Sequence, residues 1–331
     1  MGYRGIIAKS IKMGLNDARR MQRMREREII RELHARMYEM NLIEVSAHEE
    51  FISSISSIHK KDIAMLDWER IKSTPPPIKP EYKNYNEINA LLKLNNYTPT
   101  FFDKLFKLTN RKKKKLMKKV EEAREIDKNN YEKELQEYNN KYQEWKQMNE
   151  IANNVLNGNT NTYYEVVKKF SSIESLIGKN LIRKYNINVI RKDFVECSVF
   201  TNLNIVPNIE KRLLVRGEIS QKQMSKTKYY KLCSDYICGC ALRVAKELLA
   251  VLPLKAVLIN INNQMLNLKN GLTEDMTLLS VLIPRETIFA INLLKVDPSI
   301  SMENFIHKIK FKKTKGFQPV EKINYLEFLR E

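Results

Sequence analysis

The densest chemistry in the sequence is the run Arg111-Lys112-Lys113-Lys114-Lys115 followed by Lys118 and Lys119, seven cations in nine residues. On a helix such a run points to every side, so the acidic residues that begin at Glu121 cannot neutralise all of it. Cations at a helix start also oppose the macrodipole, a cost that calls for a reason outside the helix. A cluster of this kind can neutralise phosphates, release their counterions and bind in a strongly salt-dependent way. Arg111, Lys112, Lys113, Lys114, Lys115, Lys118 and Lys119 are therefore the first candidate nucleic-acid-binding residues.

A second basic set, Arg19, Arg20, Arg23, Arg25 and Arg27, is interleaved with Met21 and Met24. Guanidinium groups suit bidentate phosphate contacts, which adds Arg19, Arg20 and Arg23 to the candidates. Glu26 and Glu28 can instead tie this set into a surface network along a helix. A third set, Lys308, Lys310, Lys312, Lys313 and Lys315 with Phe311 and Phe317, alternates as an edge strand does, where lysines also guard against aggregation.

Catalytic motifs are missing. The sequence has no G-x-x-x-x-G-K-[ST] loop, no G-x-G-x-x-G, no G-x-S-x-G and no H-E-x-x-H. A metal-dependent nuclease needs carboxylates and a lysine converging at strand ends. The residues nearest to that pattern are Asp193, Glu196 and Lys255, with Glu196 expected on the exposed face of a strand. The four cysteines, Cys197, Cys233, Cys238 and Cys240, contain one C-x-C and lie far in sequence from the four histidines, so buried free thiols are expected. No catalytic residue, metal or cofactor is expected.

Composition points the same way. With 331 residues, 43% of them hydrophobic, the chain can build a core and a second module. Its 58 Lys+Arg against 39 Asp+Glu give a net charge of +19, which favours an anionic partner. No basic start precedes a long apolar run, and the most apolar region, 238–261, is broken by Arg243, Lys246, Glu247, Pro253 and Lys255. Neither a secretory signal nor a membrane span is expected, and free thiols fit a reducing cytoplasm.

The elements that must position these residues follow from periodicity and punctuation. Apolar residues at helical spacing from Ile11 to Ile58, with no proline before Met65, predict one or two long helices, with a break near 46–57. Pro75-Pro76-Pro77 stops them and favours an extended spacer. Phe101, Phe102, Leu105, Phe106 and Leu108 form an apolar cluster expected to pack the base of the next helix. From there Tyr131, Leu135, Tyr138, Tyr142, Trp145, Asn149, Ala152 and Leu156 repeat at 4-3 spacing, a coiled-coil seam with one polar Asn. The expected partner is the long N-terminal helix of the same chain, giving an antiparallel hairpin, or the same helix of a second copy.

Asn157–Asn161 is a run of turn formers, and beyond it the pattern changes. Val195, Cys197 and Val199 alternate as a strand, which Leu213–Val215 is expected to pair. Residues 229–252 form a buried helix with a narrow polar stripe of Lys231, Asp235, Arg243 and Glu247. Residues 256–261 and 277–283 are strands, and Asp297-Pro298 opens a short helix through Phe305.

The fold class is thus α+β: long N-terminal helices in a coiled-coil-like hairpin, followed by a compact α/β-type sandwich with a mixed or antiparallel sheet. The segments are a basic helical stretch at 1–73, a Pro-rich linker at 74–80, a helical region with the basic cluster and seam at 81–157, and an α+β domain at 162–331. The leading function is a non-enzymatic nucleic-acid-binding or polyanion-binding protein with a coiled-coil arm. The alternatives are a structural subunit of a larger bacterial complex, for example in antiviral (phage) defence, and a metal-dependent nuclease in the C-terminal domain. Nucleic acid is the expected partner, beside protein partners or self-association through the long helices.

Overall fold

The chain is α+β, with two very long helices and a mixed six-stranded sheet. The computed structural model describes residues 3–267 and 270–327, with side chains in the first helix at residue 16 and from residue 19 on. They divide into two compact units: residues up to Leu66 together with those from Tyr163 on, and the segment Asp67–Thr162.

The sheet unit begins with α1 (Tyr3–Ser56), one unbroken helix of 54 residues. The expected break near 46–57 is replaced by a stop at Ser56, where serine side chains bond back to carbonyls one turn earlier. After it come α6 (Thr160–Phe170), α7 (Ile173–Gly178), β1 (Lys184–Arg191) and β2 (Phe194–Thr201). Next are the hairpin β3 (Ile209–Leu213) and β4 (Ile219–Gln223), then α8 (Lys226–Val251), β5 (Ala256–Asn267), β6 (Leu272–Pro284), α9 (Arg285–Ala290), β7 (Ile306–Lys312) and β8 (Gly316–Gln318).

The main sheet runs β1-β2-β5-β6-β7-β8. Its one parallel pair, β2 with β5, is joined by a crossover containing α8, and its other pairs are antiparallel. The expected pairing of 213–215 with β2 does not form. Leu213 ends β3, which pairs β4 in a separate two-stranded ribbon, and the partner of β2 is β1. The lysine-rich strand β7 is likewise not the sheet edge, because the short β8 borders it through Phe311–Phe317, whose rings are 5.0 Å apart.

Alternation sets the two faces of the sheet. Val195, Cys197, Val199, Val257, Ile259 and Ile261 are fully buried, and β5 packs on α8. The opposite face carries Phe194, Leu258 and Leu282 beneath Ile323. Beside that cluster Ser280 Oγ donates to Asn260 Oδ1 (2.6 Å), Asn260 Nδ2 donates to Glu196 Oε1 (2.7 Å), and Ser280 Oγ accepts from the Ile323 amide (3.0 Å). Each buried polar group is thereby satisfied.

α8 is buried on nearly all sides, as its sequence predicts, but its polar residues do not form one solvent stripe. Lys231 is half-exposed and holds Asp235 (2.5 Å) and Asp297 (2.6 Å). Arg243 and Glu247 are buried and form an ion pair, and Ser172 Oγ donates to Glu247 (2.7 Å) while accepting from Arg243 (2.6 Å). All four cysteines are free and buried, and burial pushes the Cys233 thiol up to about 11 and that of Cys238 up to about 12. They are poor nucleophiles near neutrality.

Gly239 shows how closely α8 is approached. A Cβ there would stand 2.5 Å from Ile58 Cγ2, in the turn after α1 that also buries His59. Gly239→Ala is expected to lower stability by about 1–3 kcal/mol despite the better helix propensity of alanine, measured as a shift in the denaturation midpoint.

The helical unit contains α2 (Trp68–Ser73), α3 (Tyr85–Asn95), α4 (Phe101–Leu105) and α5 (Thr109–Leu156). At 48 residues α5 is about 72 Å long. Tyr131, Leu135, Tyr138, Tyr142, Trp145, Asn149 and Leu156 are half-buried and Ala152 is buried, so the 4-3 repeat marks the covered stripe. The occupant differs from the expected one. Trp145 Nε1 donates to the Thr74 carbonyl (2.8 Å), Asn149 Nδ2 donates to the Lys72 carbonyl (2.9 Å), and Tyr82 meets Tyr131 edge-on at 5.5 Å. α5 is one arm of a hairpin whose other arm is α2, the proline segment and α3, so that segment is a strap along α5. α1 instead packs on α8 and β3 of its own unit, with Lys211–Glu44 at 2.6 Å and Asn41 Nδ2 donating to the Gly217 carbonyl (2.7 Å).

Candidate nucleic-acid interface

The basic cluster lies on the first three turns of α5, and its orientation is set from both sides. Toward α3, Val120, Ala123 and Asp127 are buried. Asp127 receives the Asn86 and Glu87 amides (3.3 and 2.8 Å) and Asn86 Nδ2 (2.7 Å), capping the first turn of α3 from the flank of α5. Burial works to raise its pKa, but these bonds outweigh it and hold the carboxyl below its ordinary value. Arg124 adds an ion pair to Glu87 at 2.8 Å.

At the other end α4 is fixed by a capping box. Thr100 Oγ1 accepts from the Asp103 amide (3.4 Å) and Asp103 Oδ2 accepts from the Thr100 amide (3.2 Å). Asp103 is buried and also receives the Tyr97 hydroxyl (2.9 Å) and Lys112 Nζ (2.5 Å). The Lys112 ammonium is the main reason that the Asp103 carboxyl lies well below the usual carboxylate range, and Asp103 raises Lys112 in return. Lys112 is therefore a structural clamp between α4 and α5.

The other cluster members are exposed: Arg111, Lys113, Lys114, Lys115, Lys118 and Lys119. Lys118 reaches Glu122 at 3.7 Å, an exposed one-turn pair worth a few tenths of a kcal/mol. Arg111, Lys112, Lys114, Lys115 and Lys118 line an open concavity of about 650 Å³ with Leu108 at its end.

The expectation that Phe101, Phe102, Leu105 and Phe106 pack under the helix is overturned. They are 74%, 67%, 60% and 62% exposed. With Asp103 and Thr100 committed to the cap, α4 turns these four apolar side chains outward. Phe101 and Phe102 meet edge-on at 6.0 Å. Lys104 and Lys107, which the sequence reading passed over, stand exposed among them, so aromatic and cationic side chains are interspersed from 101 to 107, ahead of the cation run at 111–115. That mixture was the available signal.

Other candidate residues belong to the sheet unit. Arg19, Arg20 and Arg23 are exposed on α1, and Glu26 there accepts from Gln22 (3.0 Å). Lys308, Lys310 and Lys312 share the exposed face of β7. Of the nuclease set, Asp193 pairs with Lys255 (3.8 Å) and Arg191 (3.2 Å), while Glu196 is half-buried between Asn260 and Lys322 rather than on an exposed face. Among the described residues no three His, Cys, Asp or Glu side chains are grouped to hold a metal ion, and no helix is long and apolar enough to cross a membrane.

No family model matches this chain, nor does any curated protein or solved structure. Function therefore has to be argued from the geometry of the α4–α5 corner itself.

Proposed function

We propose that the protein is a non-enzymatic nucleic-acid-binding protein and that the α4–α5 corner is its binding surface. The observation that carries this reading is a set of exposed cations, Arg111, Lys113, Lys114 and Lys115, which form no ion pair among the described residues, beside exposed phenylalanines, with the neighbouring Asp103 already held by Lys112. Cations supply phosphate neutralisation, and aromatic rings supply faces on which bases stack. The combination suits unpaired bases, since rings stack only on faces that a duplex keeps covered.

The test is titration of labelled single-stranded and duplex DNA and RNA across a salt series. Binding is expected to favour single strands, with log K falling against log salt at a slope between about −3 and −6. Absence of binding at low salt, or a slope near zero, would sink the reading. A second reading, a subunit of a larger assembly, draws on α1, whose described side chains between residues 19 and 40 are all exposed, including several large apolar ones.

A further inference from the structure

α1 carries two stripes at 4-3 spacing. Asn41, Val45, His48, Ile52 and Ile55 are wholly or partly buried in the sheet unit, where His48 bonds the Ile209 carbonyl (3.0 Å). About a third of a turn away, Ile29, Leu33, Arg36, Met40, Ile43 and Ala47 repeat at 4-3-4-3-4 and are all exposed, Met40 and Ile43 by 69% and 68%. Isolated helices gain little stability from propensity alone, and an exposed apolar seam on one marks a surface that another helix covers.

We propose that this seam is the interface with a second copy of the chain, docked antiparallel. The six positions are symmetric about residue 38, so a two-fold axis there places Leu33 of one copy against Ile43 of the other, Ile29 against Ala47, and the Arg36 stem against Met40. Arg36 then comes beside Glu39 of the other copy, and its charge is compensated. Charge along the helix selects the same orientation. Residues 19–31 hold six arginines and two glutamates, whereas 45–57, which they would face, hold Glu49 and Glu50 and no Lys or Arg. A parallel pair would instead stack Arg36 on Arg36 and the arginine-rich stretch on itself.

Sedimentation of the full-length, nucleic-acid-free protein over a micromolar concentration series tests the proposal. A monomer–dimer equilibrium is expected, with its dissociation constant raised at least tenfold by the double change Leu33→Glu and Ile43→Glu. Both residues are exposed in the single chain, so the unfolding temperature measured at concentrations where the protein is monomeric should stay unchanged. Orientation is tested by cysteine pairs, because the native thiols are buried. The double variant Leu33→Cys with Ile43→Cys should form an intermolecular disulfide under mild oxidation, and Ile43→Cys alone should not, since its two copies would lie about 15 Å apart. A protein that stays monomeric throughout, a dimer indifferent to the Glu substitutions, or cross-linking by Ile43→Cys alone would overturn the proposal.

Discussion

Replacing Arg111, Lys113, Lys114 and Lys115 together by Gln is expected to weaken nucleic-acid binding by at least about 100-fold near physiological salt, with the fold intact. The four side chains are exposed, and they stand at the start of α5, where positive charge opposes the helix dipole. Their removal therefore leaves helix stability unchanged or slightly raised, so a loss of binding cannot be put down to unfolding. Lys112 is kept because its ammonium holds Asp103 and thereby α4. Fluorescence anisotropy with a labelled single strand measures the loss, and circular dichroism melting checks the fold. Phe102→Ala is the complementary change: it removes a stacking face without touching charge, so it should weaken single-strand binding and leave the salt slope alone.

Glu247→Ala is expected to be the most damaging single substitution in the sheet unit, lowering stability by about 3–5 kcal/mol. Glu247 is fully buried, Arg243 is 3% exposed, and the carboxylate also receives the Ser172 amide and hydroxyl. Deleting it strands a guanidinium in the core between α8 and the start of α7, with Ser172 alone among the described residues left to receive it. The double change Arg243→Met with Glu247→Leu removes both charges and keeps the volume, and it should restore most of the loss. Denaturant unfolding of the wild type, Glu247→Ala and the double variant measures the three stabilities. Equal losses in the single and double variants would mean that the helix packing, rather than the ion pair, carries the effect.

What the sequence tells and what it withholds can be separated residue by residue. The 4-3 repeat from Tyr131 to Leu156 identifies the covered stripe of α5, because periodicity reports which face is buried. It does not report the occupant, and here a strap of α2, prolines and α3 takes the place expected for α1. Pro75–Pro77 fix an extended conformation, yet nothing local says that the segment lies along α5 and receives Trp145. The burial of α8 follows from its apolar composition, but Arg243 and Glu247, one turn apart with opposite charge, look in sequence like an ordinary surface pair; only the neighbourhood of Ser172 makes them a core cluster. β1 escaped notice because Ile187 and Val189 alternate with Asn and Lys, a weak pattern that becomes a strand by pairing with β2.

The candidate site is legible in its charge and not in its apolar half. Seven cations in nine residues stand out in any reading, whereas Phe101, Phe102, Leu105 and Phe106 carry the composition of a core cluster. Their exposure is set by the Thr100–Asp103 cap and by the Lys112 clamp, which orient α4 through contacts with α5. The structure thus turns a charge run into a mixed aromatic and cationic surface.

The central claim is tested most directly by comparing two salt slopes: the wild type and the four-fold Gln variant, titrated with the same labelled single strand. The account predicts that the slope of log K against log salt becomes shallower by about three units in the variant, as four phosphate contacts are lost. Equal slopes would contradict it and place any binding elsewhere on the molecule.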